Sequence, residues 1–120
     1  MGANWLILAI FIPGYIYYVS LNDAAGHLQF RVGPVLVIST HEDTNLAVVI
    51  PFTTSMGAKR FSYTVEIKKS NFNKLKYDSI AMIFQIRAIS NQRFISLSGI
   101  LEDKYIEHIK TNISLFLKIP

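Results

Sequence analysis

Short β-branched and aromatic runs separated by turn residues, then one segment of different period, predict a mostly β (α+β) domain. The expectation is about five antiparallel strands in a small, strongly curved barrel with a C-terminal helix packed on it. Three features carry this. Tyr15–Leu21 and Pro34–Ile38 are apolar runs of strand length, rich in β-branched and aromatic residues. Phe61–Lys68 alternates apolar and polar residues, as a strand with one wet face does. Beyond Leu101 the apolar residues recur three or four apart, which is the helical period.

In chain order, Trp5–Ile12 is an apolar run without a charge, and the first charged residue is Asp23. A signal peptide needs a positive start, which is missing. A membrane helix needs about 20 apolar residues, and that length is reached here only by running through Pro13-Gly14, a helix breaker. Residues 1–12 are therefore expected to be an apolar extension that packs as a strand or short segment, with a membrane anchor as the alternative. Tyr15–Leu21 is the first strand. Asn22–Gly33, with Gly26 and Gly33, is a long loop. Pro34–Ile38 is a buried strand, His41–Asn45 a polar turn, and Leu46–Phe52 a strand ending near Pro51. Thr53–Arg60 is a loop.

Phe61, Tyr63, Val65 and Ile67 should face inward from the next strand. Ser70–Tyr77 is a basic connector, and Ser79–Ile89 reads as one long strand. Leu101–Ile119 reads as one helix whose stripe includes Tyr105, Ile106, Ile109, Ile113, Phe116 and Leu117, with Glu102 and Asp103 at the positive end of its dipole. Residues 13–120 make one domain, with no repeat or linker.

Hydrophobic residues make up 51% of the 120 residues and charged residues 17%, enough apolar surface to fill a core and exclude disorder. Twelve basic residues face eight acidic ones, a net charge of +4 that favours polyanions without naming one. The chain has no cysteine, which excludes disulfides and thiolate metal sites and is compatible with a reducing, cytoplasmic setting. His27, His41 and His108 lack metal-ligand spacing, so no metal or cofactor is expected. No phosphate-cradling glycine motif, nucleophile elbow or RNA-recognition strand is present.

Five ordered segments nevertheless carry a resemblance. They are Pro13-Gly14 with Tyr17-Tyr18-Val19-Ser20-Leu21, then Ala25-Gly26-His27-Leu28-Gln29, then Gly33-Pro34-Val35-Leu36-Val37-Ile38-Ser39. Val48-Val49-Ile50-Pro51-Phe52-Thr53-Thr54-Ser55 follows, and last Asp78-Ser79 with Gln85-Ile86-Arg87-Ala88-Ile89 and Gln92-Arg93. Together these are similar to the MazF/PemK toxins. The resemblance implies an SH3-like barrel that forms a homodimer and a ribosome-independent, metal-independent endoribonuclease acting on single-stranded RNA (mRNA). It also implies a cognate antitoxin, presenting an acidic segment, and no stable membrane association.

By this resemblance Thr53 is the catalytic threonine and His27 a loop histidine near the phosphate. The family's arginine before the strand proline is replaced by Gly33, which leaves Arg31, two residues earlier, as the candidate. Gln85 and Arg87 match the Gln-Ile-Arg block and, on one strand two apart, are expected to face the same side. Lys59 and Arg60 are candidates for lining an RNA groove. The sequence departs from the pattern at Gly33, Leu28 and Tyr15. A degenerate, non-cleaving binder of antitoxin or nucleic acid is the second reading, and a gyrase-directed toxin on the same barrel the third.

Overall fold

The computed structural model describes residues 11–21 and 32–119. Seven strands are present among them: β1 (Tyr15–Ser20), β2 (Val32–His41), β3 (Leu46–Thr53), β4 (Thr64–Ile67), β5 (Ser79–Met82), β6 (Arg87–Ser90) and β7 (Phe94–Ile100). Helix α1 (Asp103–Leu117) follows. The sheet order is β4-β5-β3-β2-β1-β7, with β6 also on β3, and every pairing is antiparallel.

Alternation along the strands sends residues to two faces. Ile16, Leu36, Ile50, Phe52, Val65, Ile67 and Ala81 build one core, which α1 covers through Ile109 with Tyr105, Ile106, Ile113 and Phe116. Tyr17, Val19, Leu21, Val35, Val37, Ala47, Val49 and Ile89 build a second core on the other face. Phe11, near the end of the apolar extension, stacks on Phe94 with ring centroids 4.0 Å apart and meets the edge of Tyr17. Residues 1–10 of the extension lie outside the described residues. Among the described residues no helix is long and apolar enough to cross a membrane.

The two ends of the sheet curl towards each other. The connector leaving β4 meets β7 where the Asn73 carbonyl lies against Gly99, and Ile100 donates its N–H to the Phe72 carbonyl at 3.5 Å. Asn73 is fully buried and completely bonded. Its Oδ1 accepts from the N–H groups of Ser70 and Leu75, and its Nδ2 donates to the Lys68 carbonyl and Glu102 Oε1. Ser70 Oγ donates to the second Glu102 oxygen at 2.8 Å. Glu102 thus ties the connector to the start of α1 rather than capping the helix N–H groups. The helix stops where Lys118 turns left-handed at φ 57° and Ile119 N–H reaches back to the Ser114 carbonyl.

Several expectations need correction. The long strand read over Ser79–Ile89 is two strands, β5 and β6, both on the same edge of β3 and separated by a 3₁₀ turn at Ile83–Gln85. The turn exists because Ile83 buries itself in the helix-side core and donates its N–H to the Tyr63 carbonyl at 3.0 Å. Gln85 and Arg87 therefore do not sit two apart on one strand. The strand read over Phe61–Lys68 is confined to Thr64–Ile67, since Tyr63 takes a left-handed conformation at φ 61°. Phe61 is an exposed residue, not a core one. The predicted loop over Asn22–Gly33 gives up Val32 and Gly33 to β2. Leu117, expected in the helix stripe, is exposed. Strand β7 has no clear apolar signature: its Ile95 and Leu97 are exposed, and Ser96, Ser98 and Gly99 blur the pattern.

Candidate functional site

Thr53 ends β3, and three strands fix its surroundings. Ile80 of β5 pairs with Thr53, and Glu66 of β4 pairs with Ile80. On the other side the ladder with β2 ends at the Val35–Pro51 pair, and Gly33 and Thr53 each lie two residues beyond that pair at the same end of β2 and β3. Directly opposed residues share a face, so Thr53, Ile80 and Glu66 form one row across the sheet, with ~4.8 Å between neighbouring strands, and Gly33, in step with Val35, projects to that same face. This is the face opposite α1, because Val35 and Val37, in step with Gly33, belong to the second core.

Thr53 is half-buried, and its Oγ1 accepts the Ser55 N–H at 3.2 Å. That use of a lone pair leaves the hydroxyl proton to be donated to an incoming oxygen. Gly33 contributes no side chain, yet its backbone has room for one. Its φ is not in the left-handed region, and an added Cβ would find Leu21 Cδ1 at 3.6 Å, an ordinary contact.

Arg87 begins β6 opposite Val49 and lies in step with buried Ile89, so it belongs to the Thr53 face. Val49 is four residues before Thr53, about 13 Å along the strand. Arg87 is exposed and forms no ion pair among the described residues. Gln85 is exposed in the 3₁₀ turn. Lys59 and Arg60, adjacent in the 3₁₀ segment Met56–Arg60, part company. Lys59 Nζ reaches Glu66 at 3.1 Å. Arg60 donates to the Gly57 carbonyl at 2.9 Å and lays its guanidinium 4.3 Å above the Phe61 ring, which leans on Phe84. His27, Leu28 and Arg31 lie outside the described residues. Tyr15 packs against the second core.

The remaining described histidines are elsewhere. His41 ends β2, about 26 Å along the strand from Gly33, with its Nε2 at 2.9 Å from Ser39 Oγ. His108 is exposed on α1. Among the described residues no group of three His, Cys, Asp or Glu is placed to hold a metal.

Beside the Thr53 row lies an open hollow of about 680 Å³, lined by Thr54, Met56, Lys59, Glu66, Lys68, Lys69, Tyr77 and Asp78. Lys68 bridges Glu66 at 3.3 Å and Asp78 at 3.7 Å. Bonding to the Lys59 ammonium first, and to Lys68 next, holds the Glu66 carboxyl below its ordinary pKa. The Lys69 N–H, and then the Lys68 charge, does the same for Asp78. Lys68 is raised in turn, chiefly by Glu66. All three groups are charged at neutral pH. Apart from Lys59, no sequence motif marks these residues as a site. Glu66 and Lys68 were visible on the wet side of an alternating strand, but nothing in the sequence aligned them with Thr53.

Over residues 12–117 the chain matches the family described as PemK-like, MazF-like toxin of type II toxin–antitoxin systems. The chain belongs to that toxin family. Two curated relatives are similar to this toxin along nearly their whole length. The endoribonuclease MazF of Staphylococcus saprophyticus is 26% identical over 107 residues, 87% of this chain and 88% of that protein. The endoribonuclease EndoA of Bacillus subtilis is 26% identical over 109 residues, covering 88% and 93%. The fold of this PemK/MazF-like toxin also matches solved structures. The Mycobacterium tuberculosis toxin MazF-mt6 gives a TM-score of 0.69 at 16% identity, covering 88% of this chain and 98% of that one. A mycobacterial endoribonuclease in complex with its cognate antitoxin gives 0.68 at 15% identity, covering 91% and 96%.

Proposed function

We propose that this toxin is an endoribonuclease that cuts single-stranded RNA by metal-independent transesterification. The single observation that carries the reading is that Gly33 and Thr53 lie on one face, each two residues beyond the Val35–Pro51 pair at the same end of β2 and β3. The ribose 2′-oxygen bonds to the adjacent phosphorus while the bond to the 5′-oxygen breaks. The 2′-hydroxyl proton passes to a base, and a proton is returned to the leaving oxygen, giving 2′,3′-cyclic phosphate and 5′-hydroxyl ends.

Thr53 Oγ1 donates to a phosphoryl oxygen in this scheme. Arg31 places its guanidinium, which matches phosphate oxygens and keeps its charge, on the same group. His27 moves the proton, since imidazole titrates near neutrality. Arg87, on the same face and unpaired with any described carboxylate, holds the RNA backbone further along. Gln85 and Arg60 line the approach. Working as a cytoplasmic homodimer of this single domain, the toxin would be silenced by an antitoxin whose acidic, partly disordered segment folds onto this basic face.

Labelled single-stranded RNA incubated with the pure protein in EDTA should be cleaved to cyclic-phosphate ends. Thr53→Ala should slow cleavage by ~10²-fold, the cost of one donor to the developing charge. A second reading, a binder that does not cut, draws on Gly33 itself, which brings no guanidinium to Thr53. Intact RNA at high protein concentration, with binding retained, would establish it. In either case affinity for RNA should fall with salt as log K against log[salt], with a slope of about −0.7 per phosphate neutralised. A flat salt dependence would remove the RNA groove altogether.

A further inference from the structure

We propose that the hollow lined by Lys59, Glu66, Lys68, Lys69, Tyr77 and Asp78 is a recognition subsite for one nucleotide of single-stranded RNA flanking the cut bond, with Glu66 and Asp78 selecting its base. The inference rests on the RNA-cleaving reading above and adds residues and a selectivity to it. Its geometry comes from the sheet. Glu66 stands two strands from Thr53 in the same row, so their backbones are about 10 Å apart on one face. Thr54, the next residue after Thr53, forms part of the hollow's wall.

The chemistry of the walls fits a nucleotide. Tyr77, 66% exposed, and Met56, 38% exposed, offer apolar surface to a base, and stacking on an aromatic ring serves any base. The Lys69 N–H is bonded to Asp78, but its ammonium forms no salt bridge among the described residues and supplies charge for a phosphate. Glu66 is fixed from both sides, Oε1 to Lys59 at 3.1 Å and Oε2 to Lys68 at 3.3 Å. Each oxygen keeps a second acceptor site. A carboxylate held ionised and oriented in this way accepts from amino groups on a base edge, as Glu and Asp accept from cytosine N4. The hollow therefore favours a base bearing an exocyclic amine over uracil. An acidic protein segment is less suited, since its carboxylates bring no amino donor to Glu66 and Asp78 and no flat ring to Tyr77.

The experiment compares the wild-type chain with Tyr77→Ala, Lys69→Ala and Glu66→Gln on a pool of RNA randomised around the cut site. Cleavage products are sequenced, and binding of the same RNA is followed by fluorescence anisotropy. Tyr77→Ala and Lys69→Ala should weaken RNA binding at least fivefold, acting on KM more than on kcat. Glu66→Gln should erase a preference against uracil at one flanking position by about tenfold, corresponding to ~1.4 kcal/mol. Wild-type affinity and an unchanged base preference in all three variants would overturn the subsite while leaving RNA cleavage standing. Weaker binding to the cognate antitoxin with RNA binding untouched would overturn it in favour of a protein contact. A wild-type chain that neither binds nor cuts RNA would remove the underlying reading, and the subsite with it.

Discussion

Gly99→Ala is expected to lower stability by about 3 kcal/mol, with the melting temperature falling by ~10–20 °C. A Cβ on Gly99 would lie 2.6 Å from the Asn73 carbonyl carbon and 3.1 Å from Lys74 Cβ. The obstacle is backbone, and it cannot turn aside as a flexible side chain would. Asn73 cannot retreat either, because its side chain is fully buried and tied to Ser70, Lys68, Leu75 and Glu102. The steric cost thus falls on the junction that brings β7 against the connector leaving β4. Asn73→Ala attacks the same junction from the other side. It strands the two N–H groups, the carbonyl and the carboxylate oxygen that Asn73 now serves. Thermal unfolding followed by circular dichroism measures both. A Gly99→Ala melting temperature within 2 °C of wild type, an offset smaller than about 0.5 kcal/mol, would show that the junction yields and does not close the sheet.

The fold was legible where one force dominated. Runs such as Pro34–Ile38 and Leu46–Phe52 are buried on both faces, so every residue is apolar and the strand is plain. The helix was legible because burial against one core demands Ile106, Ile109 and Ile113 on one side. Reading failed where two demands met in one segment. Ser79–Ile89 is apolar throughout, which hid the turn that swings Ile83 into the core. In β7, the edge strand, exposed Ile95 and Leu97 alternate with nothing informative. The site was legible only in part. Thr53 and Arg87 could be picked out by resemblance, but their common face depends on the register of β3 with β2, β5 and β6. The apolar pattern fixes which face of a strand is buried, but it does not say which distant strand becomes the partner. The same holds for Glu66, whose relation to Thr53 passes through Ile80.

That register also decides what a missing arginine means. Replacing Arg31 by Ala should lower the rate of RNA cleavage by ~10²–10³-fold, the usual cost of removing a group that meets developing phosphoryl charge. Arg31 is two residues from Gly33, so the chain itself limits their Cα separation to about 7 Å. Gly33 and Thr53 in turn each lie two residues beyond the Val35–Pro51 pair, at the same end of β2 and β3. In the proposed mechanism the long side chain of Arg31 meets the phosphate held by the Thr53 hydroxyl. Gly33→Arg, placed in the Arg31→Ala background, should restore most of the lost rate. Its Cβ meets only Leu21 Cδ1 at 3.6 Å, its φ is ordinary for a side-chain-bearing residue, and it projects onto the face that holds Thr53 and Arg87. Single-turnover cleavage in EDTA measures all three proteins. Rescue would show that position, not residue number, is what the phosphate requires. An Arg31→Ala rate equal to wild type would transfer the role to Arg87. Loss without rescue would mean that residue 31 acts from a direction Gly33 does not share, since the added side chain meets no obstacle at its base.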